Sequence, residues 1–584
     1  MSDAKDQPKL TPVEGYKTAS NYLKGPIPEE LASDAPNFTG EAMQLLKHHG
    51  TYEQDDRDRR KEAKAEGVPG GKYYSMMVRT VVPGGKMSSE QLLAQLDLCE
   101  EVGNGTMRLT TRQAIQVHGI LKSDLRHYIN RVNDIGQTTL AACGDVARNM
   151  MCSPLPKKDG VYEAMQGLTD RLKVHFAPQT GAYNELWVTD SETGEKTLAT
   201  SNGIKTSGIK DGDQTEPIYG RVYLPRKFKM GVGLPEDNNA DLYSQDIGFL
   251  AITEGEGEDR KIVGYNLIAG GGFGRTPSAA KTFAAVGQPL CYCPAGEEIA
   301  AAEAVMKVQR DFGNRTDRKT ARMKYLIANW GIEKFKAKVE EYAGRELAAP
   351  KDAPITDHDD GMGWREQGDG LWYYGLNVEN GRIKDEGDFR LKTALRAICT
   401  DMAPPLRITG HQGLIFCDIE SGDKSKLESV LKSHGVPLTD EVSNARRWSM
   451  ACPALPTCGL AVTESERALP GIMTQIDEEL TKLGLEDEVF TTRMTGCPNG
   501  CARPYNSDIG LVGRAKEKYT MFLGGSRLGY RLNYIYKDMV PADEVAPTLA
   551  RVFANFKQNR TGGESFGDYC HRIGKDDLLA ACEA

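Results

Sequence analysis

"MRLTTRQAIQVHGI", Met107–Ile120, and "LRITGHQGLIFCDI", Leu406–Ile419, align without a gap 299 residues apart. Arg108/Arg407, Thr110/Thr409, Gln113/Gln412 and Ile120/Ile419 are identical. Each stretch reads as the returning strand of a strand–helix–strand unit. In the first copy the outgoing strand is "YYSMMVRTVVPGG", a β-rich run that ends in a turn. The helix is "SSEQLLAQLDLCEEVG", with Ser88 and Gln91 in capping-box spacing and Leu92, Leu96 and Cys99 on one face. In the second copy "YYGLNVENGRI" supplies strand and turn. "FRLKTALRAICTDM" supplies the helix, with Leu391, Ala394, Leu395 and Ile398 on one face. A second echo follows in the same order: "DIGF" then "YNLIAGGGFGR", Asp246 to Arg275, against "DIGL" then "YTMFLGGSR", Asp508 to Arg527. Two echoes in one order make the chain an internal duplication, about 70–345 and 360–584, a period that sets the whole fold. The class is α+β.

The 584 residues suffice for several domains. The net charge of −9 gives no reason to expect nucleic acid as a partner. No apolar run is long enough to span a bilayer, and "MSDAKDQPKLTPVEGYK" lacks the apolar core of a signal peptide. The expectation is a cytoplasmic protein, whose thirteen cysteines serve metal, catalysis or packing rather than disulfides. Residues 1–70, polar and charged, read as an N-terminal arm laid over a body or partly disordered.

Four thiols stand apart: Cys452 and Cys458 in "CPALPTC", Cys497 and Cys501 in "CPNGC". Three readings compete. Buried structural cysteines suit Cys99 and Cys399 on helix faces, but Pro and Gly beside these four imply loops. Structural zinc favours shorter knuckles than C-x5-C. An iron–sulfur cluster uses thiolates at the corners of a cube, where longer loops serve, and loop N–H groups can point at its sulfurs. The pair in "CYC", Cys291 and Cys293, is read as structural, its side chains on opposite faces of an extended segment.

The first half also concentrates cations. Arg79 ends a strand, Arg108 and Arg112 flank "LTT", Arg148 lies in "CGDVARNMMC", and Arg226, Lys227 and Lys229 lie in "LPRKFK". On a strand Lys227 and Lys229 share a side and repel unless an anion sits between them. Singly each suits a solvated face; together, alternating with apolar residues, they read as an anion site. "GNRTDRKTARMKY" adds Arg315, Arg318, Lys319, Arg322 and Lys324, partly a basic helix. No G-x-G-x-x-G lies between strand and helix, so no nicotinamide or flavin domain is visible.

These stretches resemble a family. "TGCPNGCARP" with "CPALPTC", and "HHGTYEQDDRDRR", "RLTTRQAIQVHGIL", "ACGDVARN", "YLPRKFK", "GNRTDRK" and "ESFGDY", are similar in order to the sirohaem- and [4Fe-4S]-containing sulfite and nitrite reductases, over about 45–575. The resemblance implies an arm (1–70), ferredoxin-like half-domains (71–138, 360–437), a sirohaem and substrate domain (139–345) and a cluster and sirohaem domain (438–584), related by a pseudo-two-fold. It implies that Cys452, Cys458, Cys497 and Cys501 ligate the cluster, with Cys501 also the axial thiolate of sirohaem. Arg79, Arg148, Lys227 and Lys229 would bind substrate. Arg108, Arg112, Gln116, His118, Arg226, Asn499 and Arg527 would line sirohaem, whose eight carboxylates explain basic residues in an acidic protein. In the nitrite-reducing branch the second lysine is typically Asn, so Lys229 favours sulfite, reduced by six electrons to sulfide. The donor is a separate protein: an NADPH flavoprotein subunit, slightly favoured by the arm and "CGL", or ferredoxin, towards which "CARPY", "WGIEKFK" and "REQGDGLW" lean. An iron–sulfur electron carrier would need only the cysteines and would leave the cations unexplained; a zinc-stabilised module would be colourless.

Overall fold

The computed structural model describes residues 9–183 and 216–583, with the backbone of three short strands between them, Glu185–Thr189, Lys196–Ser201 and Ile204–Lys205. The first eight residues of the arm lie outside the described residues.

The duplication is visible as two five-stranded sheets that exchange a strand. The first runs in the order Thr51–Asp55, Tyr74–Thr80, Ile115–Ile120, Met107–Leu109, Arg382–Ile383. The second runs Gly363–Glu366, Trp372–Leu376, Leu414–Ile419, Leu406–Ile408, Lys86–Met87. Each thus ends on two residues donated by the other copy, with Arg382 opposite Arg108 and Lys86 opposite Arg407. The approach demands glycine at the crossing. Gly85 (φ +76°) and Gly381 (φ +72°) are left-handed, and a Cβ on either would stand 2.2 Å from the carbonyl oxygen of Ile408 or Leu109. The helices Ser89–Glu101 and Leu391–Asp401 pack together, joined at the rim by Arg396 to Asp97 and Glu100. The expected capping box at Ser88 is formed, and both expected apolar faces are buried.

The second echo builds the other pair of sheets. One runs Gln288–Pro294, Lys261–Ala269, Ile247–Glu254, Met230–Gly233; the other runs Ser449–Ala451, Thr492–Thr495, Ile509–Ala515, Lys518–Leu523, Tyr534–Pro541. In both, a parallel pair adjoins antiparallel strands. Parallel bridges from Ala147 to Phe228 and from Met151 to Gly231 extend the first sheet as Ser449–Ala451 extends the second. At the same point of each, an aspartate accepts from a backbone N–H: Asp246 from Lys229 at 2.9 Å, Asp508 from Thr491 at 2.8 Å.

Three expectations are corrected here. Thr51–Asp55, read with the arm, is an edge strand of the first sheet, and the described arm residues around it form helices laid on the body. Cys291 and Cys293 share a face, as residues two apart on a strand must; both are buried, with their sulfurs 3.9 Å apart. The basic run at 315–324 is not a solvated helix: Arg318 pairs with Asp145 and Arg322 with Asp246. Lys324 donates to the carbonyls of Gly272, Gly274 and Phe283.

Candidate active site

Pro, Gly and the parallel crossover at 492–512 bring the two cysteine loops together. Val462 N–H donates to the Gly496 carbonyl at 2.8 Å and Gly496 N–H to Cys452 Sγ at 3.4 Å. Asn499 Nδ2 donates to Cys497 Sγ at 3.5 Å. Thr111 Oγ1 reaches the Cys501 carbonyl at 3.0 Å, tying the "CPNGC" loop to the first half. Cys452 and Cys497 are buried, Cys458 is half-buried and Cys501 is exposed. The thiols influence one another electrically: Cys501 acts on Cys452, Cys458 and Cys497. Burial, then the Cys501 charge, pushes the Cys497 thiol up to about 12 and those of Cys452 and Cys458 up as well. The thiols of Cys452, Cys458 and Cys497, so raised, stay protonated until a metal displaces the protons. Among the described residues no three acidic, histidine or thiol groups close to the spacing of a single ion.

The cations converge in front of Cys501. Phe228 is buried in the core, so Lys227 and Lys229 on either side of it point the opposite way, as the alternation predicts. Arg148, one residue beyond the bridge to Phe228, donates from its backbone N–H to the Phe228 carbonyl at 2.9 Å. Burial lowers the Lys227 ammonium well below its usual range, helped by Arg148, Arg226 and Arg322, while Cys501 acts the other way. Lys229 is lowered well below its range by burial and then by Arg112, Lys227 and Arg322. Arg112 is brought down to about 9 by burial and by Arg148 and Arg503. Neither lysine ammonium has a hydrogen bond or ion pair among the described residues. Arg79 Nη1 lies 2.7 Å from Cys143 Sγ. Tyr52 stands with Cys143, Arg148 and Arg79, its phenol raised by burial and then by Cys143. Neither Tyr52 nor Cys143 was singled out in the sequence; both lie within stretches that carry the resemblance.

The residues expected to line sirohaem divide. His118 Nδ1 meets Gln54 Oε1 at 3.0 Å, and burial lowers the imidazole to about 3, so the ring is neutral. Gln116 lies against Met77. Arg112 holds the Asn149 carbonyl at 2.6 Å and Gln245 at 2.9 Å. Arg226 stands 3.8 Å from Asp145. Burial would raise the Asp145 carboxyl, but Lys17, Arg318 and Arg226 outweigh it and hold it far below its usual range. Arg108 is fully buried, pairing with Glu466 at 3.2 Å and donating to the carbonyls of Asn380 and Ala451. Arg527 is not brought to this basin: it donates to the His358 carbonyl at 2.9 Å and covers Trp448. Its counterpart in the first echo, Arg275, adjoins the cysteine loop instead, with its N–H on the Pro498 carbonyl at 3.1 Å. The position of the echoes, read as a pair, carried that signal.

Buried polar atoms without partners gather here: Arg79 Nε, Arg112 Nε, His118 Nε2 and Arg275 Nε. The orphaned guanidinium N–H groups of Arg79, Arg112 and Arg275, beside two unpaired ammonium groups, fit a polyanionic group with many acceptors, and sirohaem is such a group.

The 4Fe-4S domain model of nitrite and sulphite reductases matches residues 168–347 and 443–584, and the ferredoxin-like half-domain model of the same enzymes matches 69–134 and 365–434. A sulfite reductase [ferredoxin] of Synechococcus elongatus is 42% identical, over 100% of this chain and 93% of its own. A sulfite reductase [NADPH] hemoprotein beta-component of Staphylococcus saprophyticus is 40% identical, over 97% and 96%. The solved Mycobacterium tuberculosis NirA protein superposes over 98% of both chains with a TM-score of 0.77 at 24% identity, a likeness of fold. The fold and the site therefore define a redox enzyme built on a sirohaem and a [4Fe-4S] cluster. The chain belongs to the nitrite and sulphite reductase family.

Proposed function

We propose that the chain reduces sulfite to sulfide with six electrons from a separate donor protein, in the cytoplasm. The observation that carries this reading is the pair Lys227 and Lys229, both turned away from Phe228, with Arg148 and Cys501 acting on Lys227 and with Arg79 beside Arg148 at Tyr52. Sulfite is a small dianion, and two unpaired ammonium groups with two guanidinium groups offset its charge beside an anionic macrocycle. When bound, the sirohaem and cluster supply the electron transfer and an open position for the sulfur.

The chain's own residues do the rest. Arg79 and Arg148 orient the oxygens, and as each leaves as water they hold the developing negative charge. Lys227 and Lys229, their ammonium groups acidified by burial and by neighbouring cations, give up protons more readily than a free lysine and return to charge as protons arrive. Tyr52, between Arg148 and Cys143, fixes the Arg148 head. Cys452, Cys458, Cys497 and Cys501 would hold the cluster, Cys501 facing sirohaem. Gln116, His118, Arg112, Arg226 and Asn499 would surround the macrocycle, Arg108 would stand behind it, and Arg527 serves at a distance.

Both donor classes occur among relatives of similar identity, one named for ferredoxin and one for NADPH. The loop after Cys458, one of the thiols that would hold the cluster, reaches the surface with Leu460 69% and Val462 43% exposed, a face where a donor protein would dock. The deciding experiment is steady-state sulfite reduction by the sirohaem-loaded chain with reduced ferredoxin or with an NADPH flavoprotein. Turnover with either identifies the donor; failure with both and with a reduced viologen refutes sulfite reduction.

A further inference from the structure

We infer that Arg57, at the end of the arm's edge strand, is a positioning residue for the cluster: it clamps the loop that carries Cys458 and sets part of the charge beside it. The inference rests on the reading of the four thiols as cluster ligands. Its Nη1 donates to the Cys458 carbonyl at 3.2 Å and to the Ala461 carbonyl at 2.7 Å, and its backbone N–H to the Pro456 carbonyl at 3.3 Å. One residue on, Asp58 pairs with Arg467 at 2.7 Å. The arm therefore grips the loop 456–467 from outside.

The rest of that loop explains why a grip is needed. Cys452 is anchored by strand hydrogen bonds to Met494, and Cys497 begins beyond the strand Thr492–Thr495. Cys458 lies between them on an irregular, half-exposed segment: its nearest ties are a turn bond to Ala454 and another from Ala461, and the bonds of Val462 and Thr463 to Gly496 and of Glu466 to Cys452 come only beyond it. A segment so held opens locally at little cost. Each opening would release one thiolate and admit solvent to the cage. Arg57 places three N–H donors across the mouth of the loop and holds its guanidinium charge against the Cys458 carbonyl. A cation fixed beside an anionic cluster also favours its reduced, more negative state. The grip and the charge are separable, because lysine keeps the charge but lacks the fork.

The test uses the full-length holoprotein and reads the cluster itself. Iron and acid-labile sulfide are followed during exposure to a chelator, and the cluster midpoint potential is measured by redox titration with electron paramagnetic resonance. Arg57→Gln is expected to lose cluster about tenfold faster, the scale of one charge-assisted hydrogen bond, and to shift the potential negative. Arg57→Lys is expected to keep the wild-type potential while losing cluster faster. Arg60→Gln, which breaks the pair with Asp55 on the same arm without touching the loop, is expected to match wild type in both. Wild-type retention and potential in Arg57→Gln would overturn the clamp. So would equal loss in Arg60→Gln, which would make the effect general undocking of the arm. A wild-type chain that binds no cluster would overturn the reading of the thiols and the clamp with it, whereas the first two outcomes leave that reading standing.

Discussion

Replacing Lys229 by Asn tests the charge argument at its sharpest point. The backbone at 229 is fixed independently of the side chain: its N–H is held by Asp246 at 2.9 Å, and the adjacent Phe228 is locked in the core with hydrogen bonds to Val146 and Arg148. The substitution should therefore leave the fold intact and remove one ammonium charge that has no partner among the described residues. At about 4 Å and an effective dielectric near 20, one unit charge interacts with another by ~4 kcal/mol. Sulfite carries one negative charge more than nitrite, so its gross loss exceeds that of nitrite by about this amount. Desolvation cancels part of it, and the net worth of a charge-assisted hydrogen bond is about 1.5–3 kcal/mol. The expected result is a roughly 10- to 150-fold fall in kcat/KM for sulfite relative to nitrite. The assay drives the sirohaem-loaded enzyme with reduced viologen, so donor docking does not enter. An unchanged ratio of the two substrates, with the fold and cofactors intact, would refute the role of Lys229 in binding a dianion.

Cys501→Ser is expected to uncouple the cluster from sirohaem, seen as independent rather than interacting magnetic spectra, with loss of sulfite turnover; normal coupling would sink the axial assignment. Glu466→Gln strands the fully buried Arg108 beside a neutral amide. Breaking such a pair costs about 3 kcal/mol or more, read as a lowered denaturant midpoint. Acidification should destabilise the fold from about pH 6.5 downward. His48 and His118 are lowered to about 3 and His358 to about 4, in each case by burial first. Folded, these rings stay neutral while the unfolded chain protonates them. Stability present above 6.5 is thus lost as pH falls towards the folded values, by up to ~1.4 kcal/mol per pH unit for each ring. Equilibrium unfolding between pH 7 and 4.5 checks the slope, and a flat profile would show that these imidazoles are solvated.

The helices and long strands of the half-domains were legible because their apolar residues keep a period that burial enforces. Leu92, Leu96 and Cys99 fill one side of a helix, and Phe228 between two lysines fixes which way both lysines point. The strand exchange was not legible. Lys86–Met87 and Arg382–Ile383 are too short to show any period, and what marks them is glycine at 85 and 381, which reads locally as an ordinary turn. Tyr52 and Cys143 escaped for a related reason: their chemistry lies in their meeting Arg79 and Arg148, which only the packed chain reveals. Arg527 came from the resemblance; Arg275, at the matching end of the first echo, was not singled out, because its contact with the Pro498 carbonyl shows only in the packed chain.

Duplication should have produced two equivalent basins, and the residues at matched positions show why there is one. Arg112 corresponds to His411, Lys227 to Val489 and Lys229 to Thr491. Where the first copy crowds unpaired cations, the second has traded two of them for an apolar side chain and a hydroxyl. Thr491 spends its hydroxyl on Asp508, the very carboxylate that also receives its N–H. His411 lies tilted against His358 with ring centroids 4.6 Å apart, and burial, then that neighbour, lowers its imidazole well below the usual range. The guanidinium groups left nearby, Arg493 and Arg503, share Asp241 at 3.3 and 2.6 Å. Each of these guanidinium groups meets a carboxylate of the protein itself, which Lys227 and Lys229 do not among the described residues. Arg503 then reaches across to the Thr111 carbonyl at 2.7 Å, next to Arg112 and one residue from the strand that carries Arg108. The second copy braces the first: its internal ion pairs stiffen the wall, while Lys227 and Lys229, which have no ion pair among the described residues, stand in the first copy.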